Sequence, residues 1–291
     1  MIKIKAHATT ANLGVLFDCG GLAIRDLWTV TSFRETPSGL RIEVTGAYAE
    51  SIPLGQENLA YQAIRTYLSA VGKRLEGIHL VLENHIPPGR GLGSSAACIV
   101  SALMAVNRHF QDLLPKRDLL ALAAEMEGHG DNACACLYGG FTVYSKLHVL
   151  HVPVPNDLRG ILLVPGFGVS TADARRILPP SYTAGDMAKA LQNASLLACA
   201  MVQKDYRTMS IVLEEDVVHE PSRSKLLPGF EDIREKGRQA GSLGTVISGS
   251  GSSVVSLCME KDQDRLYEAL CSFPAFHASP ITFTNLGAAV I

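Results

Sequence analysis

The sequence predicts an α+β fold divided between two domains. Helix and strand signals are mixed along the whole chain, and the composition shifts near 153–159. A length of 291 residues suits one large domain or two of ordinary size. We therefore expect an N-terminal domain over 1–155 and a C-terminal domain over 156–291.

The first part of the chain opens with strand signals and continues with long helices. Strands are predicted at 2–8, 27–33, 40–44, 78–82, 141–145 and 149–152, and helices at 57–71, 95–108 and 116–127. The helix over 95–108 carries alanine and aliphatic residues on nearly every face, which predicts that it is buried on all sides.

The second part of the chain continues the mixed pattern. Strands are predicted at 160–164, 244–248, 253–258 and 281–284, and helices at 172–177, 186–203, 206–214, 230–240 and 262–271. No internal repeat or low-complexity tract interrupts this order.

Composition and charge indicate an enzyme acting on a small molecule. The formal net charge is −2 and no basic block is present, so neither nucleic acid nor an anionic membrane is expected as a partner. No apolar run reaches the roughly 20 residues needed to cross a bilayer, and the start of the chain alternates like a strand, so we expect a cytoplasmic protein. The seven scattered cysteines predict neither a disulfide framework nor a zinc site.

The most informative segment is a glycine and serine loop that leads directly into the buried helix. It reads PPGRGLGSSAACIVSALMAVN over 87–107. Gly89, Gly91 and Gly93 allow turns that are closed to other residues and let a ligand approach the backbone closely. The helix start adds unpaired N–H groups and the positive end of the helix dipole. This junction is therefore predicted to bind phosphate.

Two common phosphate-binding motifs do not fit this loop. A Walker A loop needs a lysine after its last glycine, where this chain has Ser94, and the glycine spacing differs from that of a dinucleotide fingerprint. The adjacent hydroxyls of Ser94 and Ser95 suggest a Mg²⁺ ligand beside the phosphate oxygens. The alternative is that both serines only cap the helix.

The loop resembles the central motif of the GHMP kinases, P-x-x-x-G-L-G-S-S-A-A, which stands here from Pro87 or Pro88 to Ala97. The resemblance implies a two-domain GHMP kinase fold, with an N-terminal domain like domain 2 of ribosomal protein S5 and a ferredoxin-like C-terminal domain. It also implies ATP and Mg²⁺ as cofactors and allows a homodimer. The nucleotide-binding residues implied by the resemblance are Asn58, Pro88, Gly89, Arg90, Gly91, Leu92, Gly93, Ser94 and Ser95. From the residues alone, a helix cap is the favoured alternative for Asn58, and a solvent-facing side chain is the alternative for Arg90.

A second segment, ATTANLGVLFDCGGLAI at 8–24, resembles the first motif of homoserine kinases, one branch of this family. The resemblance assigns Asn12 and Asp18 to substrate binding, with Asp18 holding an ammonium group or acting as a base. From the residues alone, an ordinary Asx-rich turn is the alternative. Leu16 and the pair Cys19-Gly20 depart from the branch pattern, which leaves open the shape of this pocket wall.

A third segment, EMEGHGDNACACLYGG at 125–140, resembles the homoserine kinase stretch E-x-E-G-H-x-D-N. We expect Glu125 to bind Mg²⁺ together with Ser95, with Glu127 as the alternative. The resemblance places His129 and Asn132 against the acceptor substrate, with Asn132 near its reacting hydroxyl. Asp131 is predicted to cap the following helix.

Two C-terminal segments also resemble this branch, at 170–179 and 219–230, and a further one at 246–257 resembles the third motif of the GHMP kinases. Thr171, Arg175 and Arg223 are assigned to the substrate, because an arginine fork matches a planar carboxylate. Taken singly, each arginine is more often part of a surface ion pair. Gly249 belongs to a loop expected to close on the phosphate loop.

The combined resemblance implies an ATP-dependent homoserine kinase that makes O-phospho-L-homoserine in threonine biosynthesis. Asn132, Ser95 and Glu125 would carry the transfer by positioning and charge neutralisation. One alternative is a GHMP kinase with another hydroxy acid or hydroxy amino acid, such as threonine, as acceptor. The other is a nucleotide-binding or amino-acid-binding protein without catalysis, which the pair of Mg²⁺ ligands disfavours.

Overall fold

A computed structural model describes residues 1–146 and 148–291 of the chain. The strands are β1 Ile2–Asn12, β2 Leu16–Thr36, β3 Gly39–Thr45, β4 Gly77–Asn84, β5 Phe141–Tyr144, β6 Val149–Val152, β7 Leu158–Pro165, β8 Gly244–Ile247, β9 Val254–Met259, β10 Phe276–Thr282 and β11 Ala289–Val290. The helices are α1 Leu59–Val71, α2 Ser94–His109, α3 Lys116–Glu127, α4 Asp131–Tyr138, α5 Thr171–Arg176, α6 Ala184–Gln203, α7 Tyr206–Val212, α8 Glu220–Arg223, α9 Phe230–Gln239 and α10 Gln263–Leu270.

The larger sheet belongs to the first part of the chain. Its strand order is β11-β1-β2-β4-β3, and the β5–β6 hairpin extends it through β2. Only the β3–β4 pair is parallel among these pairings of the described residues. Strand β2 is 21 residues long, and its pairing with β1 shifts register at His7/Ala8. The first part of β2 also pairs with β5, and the second part also pairs with β4.

Helix α2 packs against this sheet as the sequence predicts. Most of its residues are buried, among them Ala96, Ile99, Val100 and Leu103. Because apolar residues lie on nearly every face, the helix gains from burial between the sheet and the flanking helices α1, α3 and α4. The burial places the start of α2, and with it the glycine loop, at the edge facing the second domain.

The smaller sheet belongs to the second part of the chain and has the order β10-β7-β9-β8, with every pair antiparallel. Helices α9 and α10 cover it, and the core between them contains Ile161, Phe230, Val254 and Leu266. The α+β class is therefore confirmed. The predicted helices and strands lie close to the observed ones, with the exceptions that follow.

The largest difference from the predicted elements is the first half of β2. Residues 8–24 read as a turn because of their glycines, yet residues from Leu16 onward form a strand. A Cβ atom on Gly21 would lie 2.7 Å from the Asp131 carbonyl oxygen and 2.9 Å from the Ala135 Cβ. The glycine therefore serves close packing of α4 on the sheet, which local strand propensity does not register.

The end of the chain also differs from the prediction. The last long strand lies at Phe276–Thr282 instead of 281–284, and β11 pairs with β1 in the larger sheet. The Thr284 N–H also donates to the Ala23 carbonyl oxygen. The final residues of the predicted C-terminal domain therefore complete the N-terminal sheet. Within the described part of the chain, none of the helices combines the length and the apolar character required to cross a membrane.

The close packing at Gly21 predicts a measurable cost for an added methyl group. We expect Gly21→Ala to lower the free energy of unfolding by about 1–3 kcal/mol, because the Cβ atom would overlap α4. Gly185→Ala is the control, because Gly185 lies in helix α6 and an added Cβ atom would have no neighbouring atom closer than 3.6 Å. There the change is at most a gain of about 1 kcal/mol. Urea unfolding of both variants decides; equal stability of the Gly21→Ala and wild-type proteins contradicts the packing argument.

Candidate active site

The predicted site residues converge on one cleft between the two domains. The cleft is lined by Asn12, Asp18, Asn58, Pro88, Gly89, Gly91, Leu92, Gly93, Ser94, Ser95, His129, Asn132, Thr171, Arg175, Arg223 and Gly249. Two predicted residues, Arg90 and Glu125, are not part of this lining. The tertiary structure thus joins seven stretches that are far apart in the sequence.

The glycine loop has the backbone geometry of a close-approach loop. Gly91 and Gly93 have φ angles of 71° and 65°, in the left-handed region that glycine tolerates best. Gly93 is the N-cap of α2, and no side chain caps this end of the helix. The interpretation of Ser94 and Ser95 as simple caps is therefore wrong, because the first N–H groups of α2 remain available to an anion.

The carboxylate beside Ser95 is Glu127, and the expectation for Glu125 is wrong. The Ser95 hydroxyl donates to Glu127 Oε2 at 2.9 Å, and Glu127 lines the cleft. Glu125 is exposed on the same helix. Two residues correspond to about 200° around a helix axis, so Glu125 and Glu127 point in nearly opposite directions. The motif contains both glutamates, and only helix phase distinguishes them.

The pair of Ser95 and Glu127 has the donor chemistry of a Mg²⁺ site beside phosphate. Burial raises the pKa of Glu127, so a cation near this carboxylate would relieve an unfavourable charge. In residues 1–146 and 148–291, no group of three or more His, Cys, Asp or Glu side chains is arranged to hold a metal alone. One carboxylate and one hydroxyl therefore fit a cation that also takes phosphate oxygens and water.

Arg90 connects the glycine loop to the second domain instead of facing the cleft. Its Nε donates to the Pro165 carbonyl oxygen at 3.3 Å, and its Nη2 donates to the Gly166 carbonyl oxygen at 3.2 Å. The expectation that its side chain binds nucleotide is therefore wrong. Its guanidinium donates to two carbonyl oxygens at the end of β7 instead of to a phosphate.

Asn58 acts as a helix cap at the rim of the cleft. Its Oδ1 accepts from the Ala60 N–H at 2.9 Å, and its Nδ2 donates to the Pro53 carbonyl oxygen at 2.6 Å. The side chain is fully buried. The helix-cap alternative for Asn58 is therefore confirmed, and because Asn58 also lines the cleft its contact with nucleotide stays a prediction.

Elsewhere in the lining of the cleft, Asp18 and Arg175 bind each other. Nη1 and Nη2 of Arg175 each donate to one Asp18 carboxylate oxygen, both at 2.9 Å. Arg175 is delivered by α5, which begins with Thr171 at the cleft wall. Two groups predicted to hold opposite charges of one ligand thus neutralise each other when no ligand is present.

Asn12 organises this part of the cleft from behind. Its Oδ1 accepts from the Asp18 N–H at 2.9 Å, and its Nδ2 donates to the Gly249 carbonyl oxygen at 2.8 Å. Asn12 and Asp18 both have positive φ angles, of 70° and 56°, so the turn holds the Asp18 carboxylate in place. One N–H and one oxygen lone pair of the Asn12 amide thus shape the site, and because Asn12 lines the cleft its substrate binding stays a prediction.

Arg223, the last residue of α8, also lines the cleft. It is buried, its Nε donates to the Ala174 carbonyl oxygen at 3.1 Å, and its Nη1 donates to the Gly249 carbonyl oxygen at 3.0 Å. Burial lowers the pKa of the Arg223 guanidinium, which remains charged at neutral pH. Its guanidinium carbon lies 5.2 Å from the centre of the Phe17 ring.

Hydrogen bonds connect His129, Asp131 and Asn132, which all line the cleft. His129 Nδ1 lies 2.6 Å from Asp131 Oδ1, and this hydrogen bond raises the pKa of His129. The same oxygen accepts from the Asn132 N–H at 2.8 Å. Asp131 is buried and lies inside α4, with Gly130 as the N-cap. The prediction of Asp131 as a helix cap is therefore wrong, since it orients its two neighbours.

The loop containing Gly249 contacts the glycine loop as expected. The Ser248 hydroxyl donates to the Gly91 carbonyl oxygen at 2.7 Å. A Cβ atom on Gly91 would lie 2.1 Å from the Ser248 carbonyl oxygen. The two backbones therefore meet with no side chain between them.

Three site-forming residues escaped the sequence prediction: Thr9, Phe17 and His219. The Thr9 hydroxyl donates to Asn132 Oδ1 at 2.8 Å, and the Phe17 ring lies under both arginines. His219 Nε2 donates to the Gly14 carbonyl oxygen at 2.7 Å, and burial lowers the pKa of this histidine to about 4. Each of the three lies inside a recognised motif. Nothing in the local sequence indicates which distant residue each of them contacts.

Two family models match the chain in order. The model of the GHMP kinases N terminal domain matches residues 58–140, and the model of the GHMP kinases C terminal matches residues 187–275. The homoserine kinase of Carboxydothermus hydrogenoformans is 39% identical over 264 residues, covering 89% of this chain and 86% of the relative. The homoserine kinase of Aquifex aeolicus is 33% identical, covering 96% of this chain and 95% of the relative.

Solved structures show the same architecture. The crystal structure of homoserine kinase from Cytophaga hutchinsonii has a TM-score of 0.90 at 31% identity, covering 100% of this chain and 97% of that chain. Mevalonate kinase from Methanococcus jannaschii has a TM-score of 0.72 at 15% identity, covering 97% and 98%, and shares the fold alone. The two-domain fold implied by the motifs is thus confirmed, and the chain belongs to the GHMP kinase family.

Proposed function

We propose that the protein transfers the γ-phosphoryl group of ATP to the side-chain hydroxyl of L-homoserine. The products would be ADP and O-phospho-L-homoserine, on the route to threonine. The observation that carries this proposal is the single cleft, whose lining includes both the phosphate loop and the charged side chains of Asp18, Arg175 and Arg223. The relatives named homoserine kinase support the same acceptor.

The phosphate loop of the cleft suits a reaction that depends on positioning. The N–H groups at the start of α2 would hold phosphate oxygens, and Ser95 and Glu127 would hold Mg²⁺. Mg²⁺ supplies neutralisation of the negative charge on the phosphates. Phosphoryl transfer has a loose transition state, so placement of the two substrates provides most of the acceleration.

The charged side chains of the cleft suit a free amino acid. An L-homoserine zwitterion offers an ammonium group to Asp18 and a carboxylate to Arg175 and Arg223. The ligand would then exchange the single Asp18–Arg175 ion pair for two new ones, which leaves neither of these partly exposed charges without a partner. Because Asp18 pairs with charged groups in both states, it is poorly suited to act as a base. His129 and Asn132 line the same cleft and would hold the reacting hydroxyl.

The residues that depart from the homoserine kinase pattern lie behind the cleft wall. Leu16 is buried, and neither it nor Gly20 contributes to the lining. A Cβ atom on Gly20 would lie 2.5 Å from the Leu16 Cβ, so the larger and smaller residues compensate for each other. Because of this compensation, Leu16 and Gly20 give little support to threonine as the alternative acceptor. The pairing of Ser95 with Glu127 likewise disfavours a binding protein without catalysis.

The acceptor is tested by comparing substrates. With purified protein, ATP and Mg²⁺, we expect kcat/KM for L-homoserine to exceed that for threonine, mevalonate and galactose by about tenfold or more. Release of ADP, followed by a coupled assay, gives the rates. A value for homoserine no higher than those for the other three would contradict the proposed acceptor.

The metal site is tested with neighbouring glutamates on one helix. We expect Glu127→Gln to reduce kcat by about 100-fold or more and to raise the Mg²⁺ concentration needed for half-maximal rate, because a metal ligand is lost. Glu125→Gln removes the same charge from the exposed face and should leave both values unchanged. The reverse ranking of the two variants would return the role to Glu125.

The carboxylate clamp is tested with adjacent arginines on α5. We expect Arg175→Gln to raise KM for L-homoserine by about 10–100-fold with little change in KM for ATP, since a charge-assisted bond to the substrate is lost. Arg176, which is exposed and paired with Asp173 at 3.0 Å, provides the control variant Arg176→Gln. Steady-state kinetics with each substrate varied separates the effects; similar KM values for both variants would remove Arg175 from the clamp.

A further inference from the structure

We propose that Thr9 is a positioning residue that fixes the Asn132 amide as a hydrogen-bond donor toward the reacting oxygens. Thr9 is fully buried on β1, and its hydroxyl donates to Asn132 Oδ1 at 2.8 Å. Asn132 lines the cleft close to the start of α2. The proposal rests on the proposed phosphoryl transfer and adds a defined role for Asn132 within it.

The orientation of the Asn132 amide follows from its two neighbours. Its Nδ2 lies 3.3 Å from Asp131 Oδ1, a carboxylate oxygen that only accepts hydrogen bonds. The nitrogen must therefore face Asp131, and the oxygen must face Thr9. The Thr9 hydroxyl, as donor, satisfies that oxygen. A flipped amide would place two acceptors against each other at Asp131, and the Thr9 hydroxyl would have to accept instead of donate.

This orientation determines what Asn132 offers to a substrate. Its carbonyl oxygen faces Thr9 and one N–H faces Asp131, so the second N–H of the amide is the group that it offers to the cleft. An N–H donor stabilises negative charge on an acceptor oxygen or on the transferring phosphoryl group, but it cannot receive the hydroxyl proton. Asn132 is thus assigned charge stabilisation and no proton transfer.

Thr9 also connects this donor to the phosphate loop. The Thr9 N–H donates to the Leu92 carbonyl oxygen at 3.1 Å. A Cβ atom on Gly93 would lie 2.1 Å from Thr9 Oγ1 and 3.0 Å from Asn132 Oδ1. The last glycine of the loop therefore leaves the space in which the hydroxyl and the amide meet. One buried side chain sets the donor at a fixed place relative to the start of α2.

The test compares near-isosteric variants of Thr9. Thr9→Val removes only the hydroxyl and should lower kcat by about 10–100-fold while KM for ATP and for the acceptor changes by no more than about threefold. Thr9→Ser retains the hydroxyl and should keep kcat within about threefold of wild type. A Thr9→Val enzyme with wild-type kcat would overturn the proposal, as would a Thr9→Ser enzyme as slow as Thr9→Val.

A double-mutant cycle separates positioning from a general structural effect. If Thr9 acts through Asn132, Thr9→Val should slow an Asn132→Ala enzyme by less than about twofold. Multiplication of the two single effects would overturn the proposal. Asn132→Asp replaces the donor by an acceptor of the same shape and should be as slow as Asn132→Ala; a rate near wild type would overturn the donor role even if Thr9→Val fails to fold.

The cycle is run with whichever acceptor the wild-type enzyme phosphorylates fastest among homoserine, threonine, mevalonate and galactose. A wild-type enzyme that prefers an acceptor other than homoserine contradicts the proposed function, while the ratios between variants still decide the role of Thr9. Urea unfolding of each variant provides the control for stability. A loss of kcat that follows the loss of stability across all variants would count against positioning.

Discussion

The close approach of two backbones at Gly91 is the constraint on which the site depends. The Ser248 carbonyl oxygen occupies the place of a Gly91 side chain, and the Ser253 N–H donates to the Arg90 carbonyl oxygen at 3.1 Å. Arg90 adds side-chain bonds to the carbonyl oxygens at the end of β7. The glycine loop is therefore held by the second domain as well as by its own. This contact brings the acceptor residues of the second domain to the start of α2.

Charges in the cleft are partnered before any substrate arrives. Asp18 pairs with Arg175, Asp131 pairs with His129, and Glu127 accepts from Ser95. A buried charge without a partner is costly, so these pairs keep the unliganded cleft stable. A substrate with complementary charges can replace such a partner, whereas a ligand with only one charge leaves the other member unpaired. This pairing is the reason why the proposed substrate is a zwitterion, which offers a partner to each charge.

Arg223 shows a second way of keeping a charge in the cleft. Backbone carbonyl oxygens of Ala174 and Gly249 accept from it, and the Phe17 ring lies beneath its guanidinium. Carbonyl oxygens and an aromatic face stabilise the cation without neutralising it. Arg223 is thus already ordered and still charged when a carboxylate arrives, which limits the entropy lost on binding.

The sequence by itself determined the class of fold, the phosphate loop and most residues of the cleft. Glycines at a helix start and arginines in matched motifs carry chemistry that is readable from residue type and spacing. Tertiary structure decided that Glu127 and not Glu125 bonds to Ser95, because helix phase turns Glu125 away. It also decided that Arg90 donates to carbonyl oxygens, because its side chain contacts the end of β7. It also revealed Thr9, whose partner lies 123 positions away. Long-range pairings of this kind leave no local pattern, because each depends on how two distant segments pack.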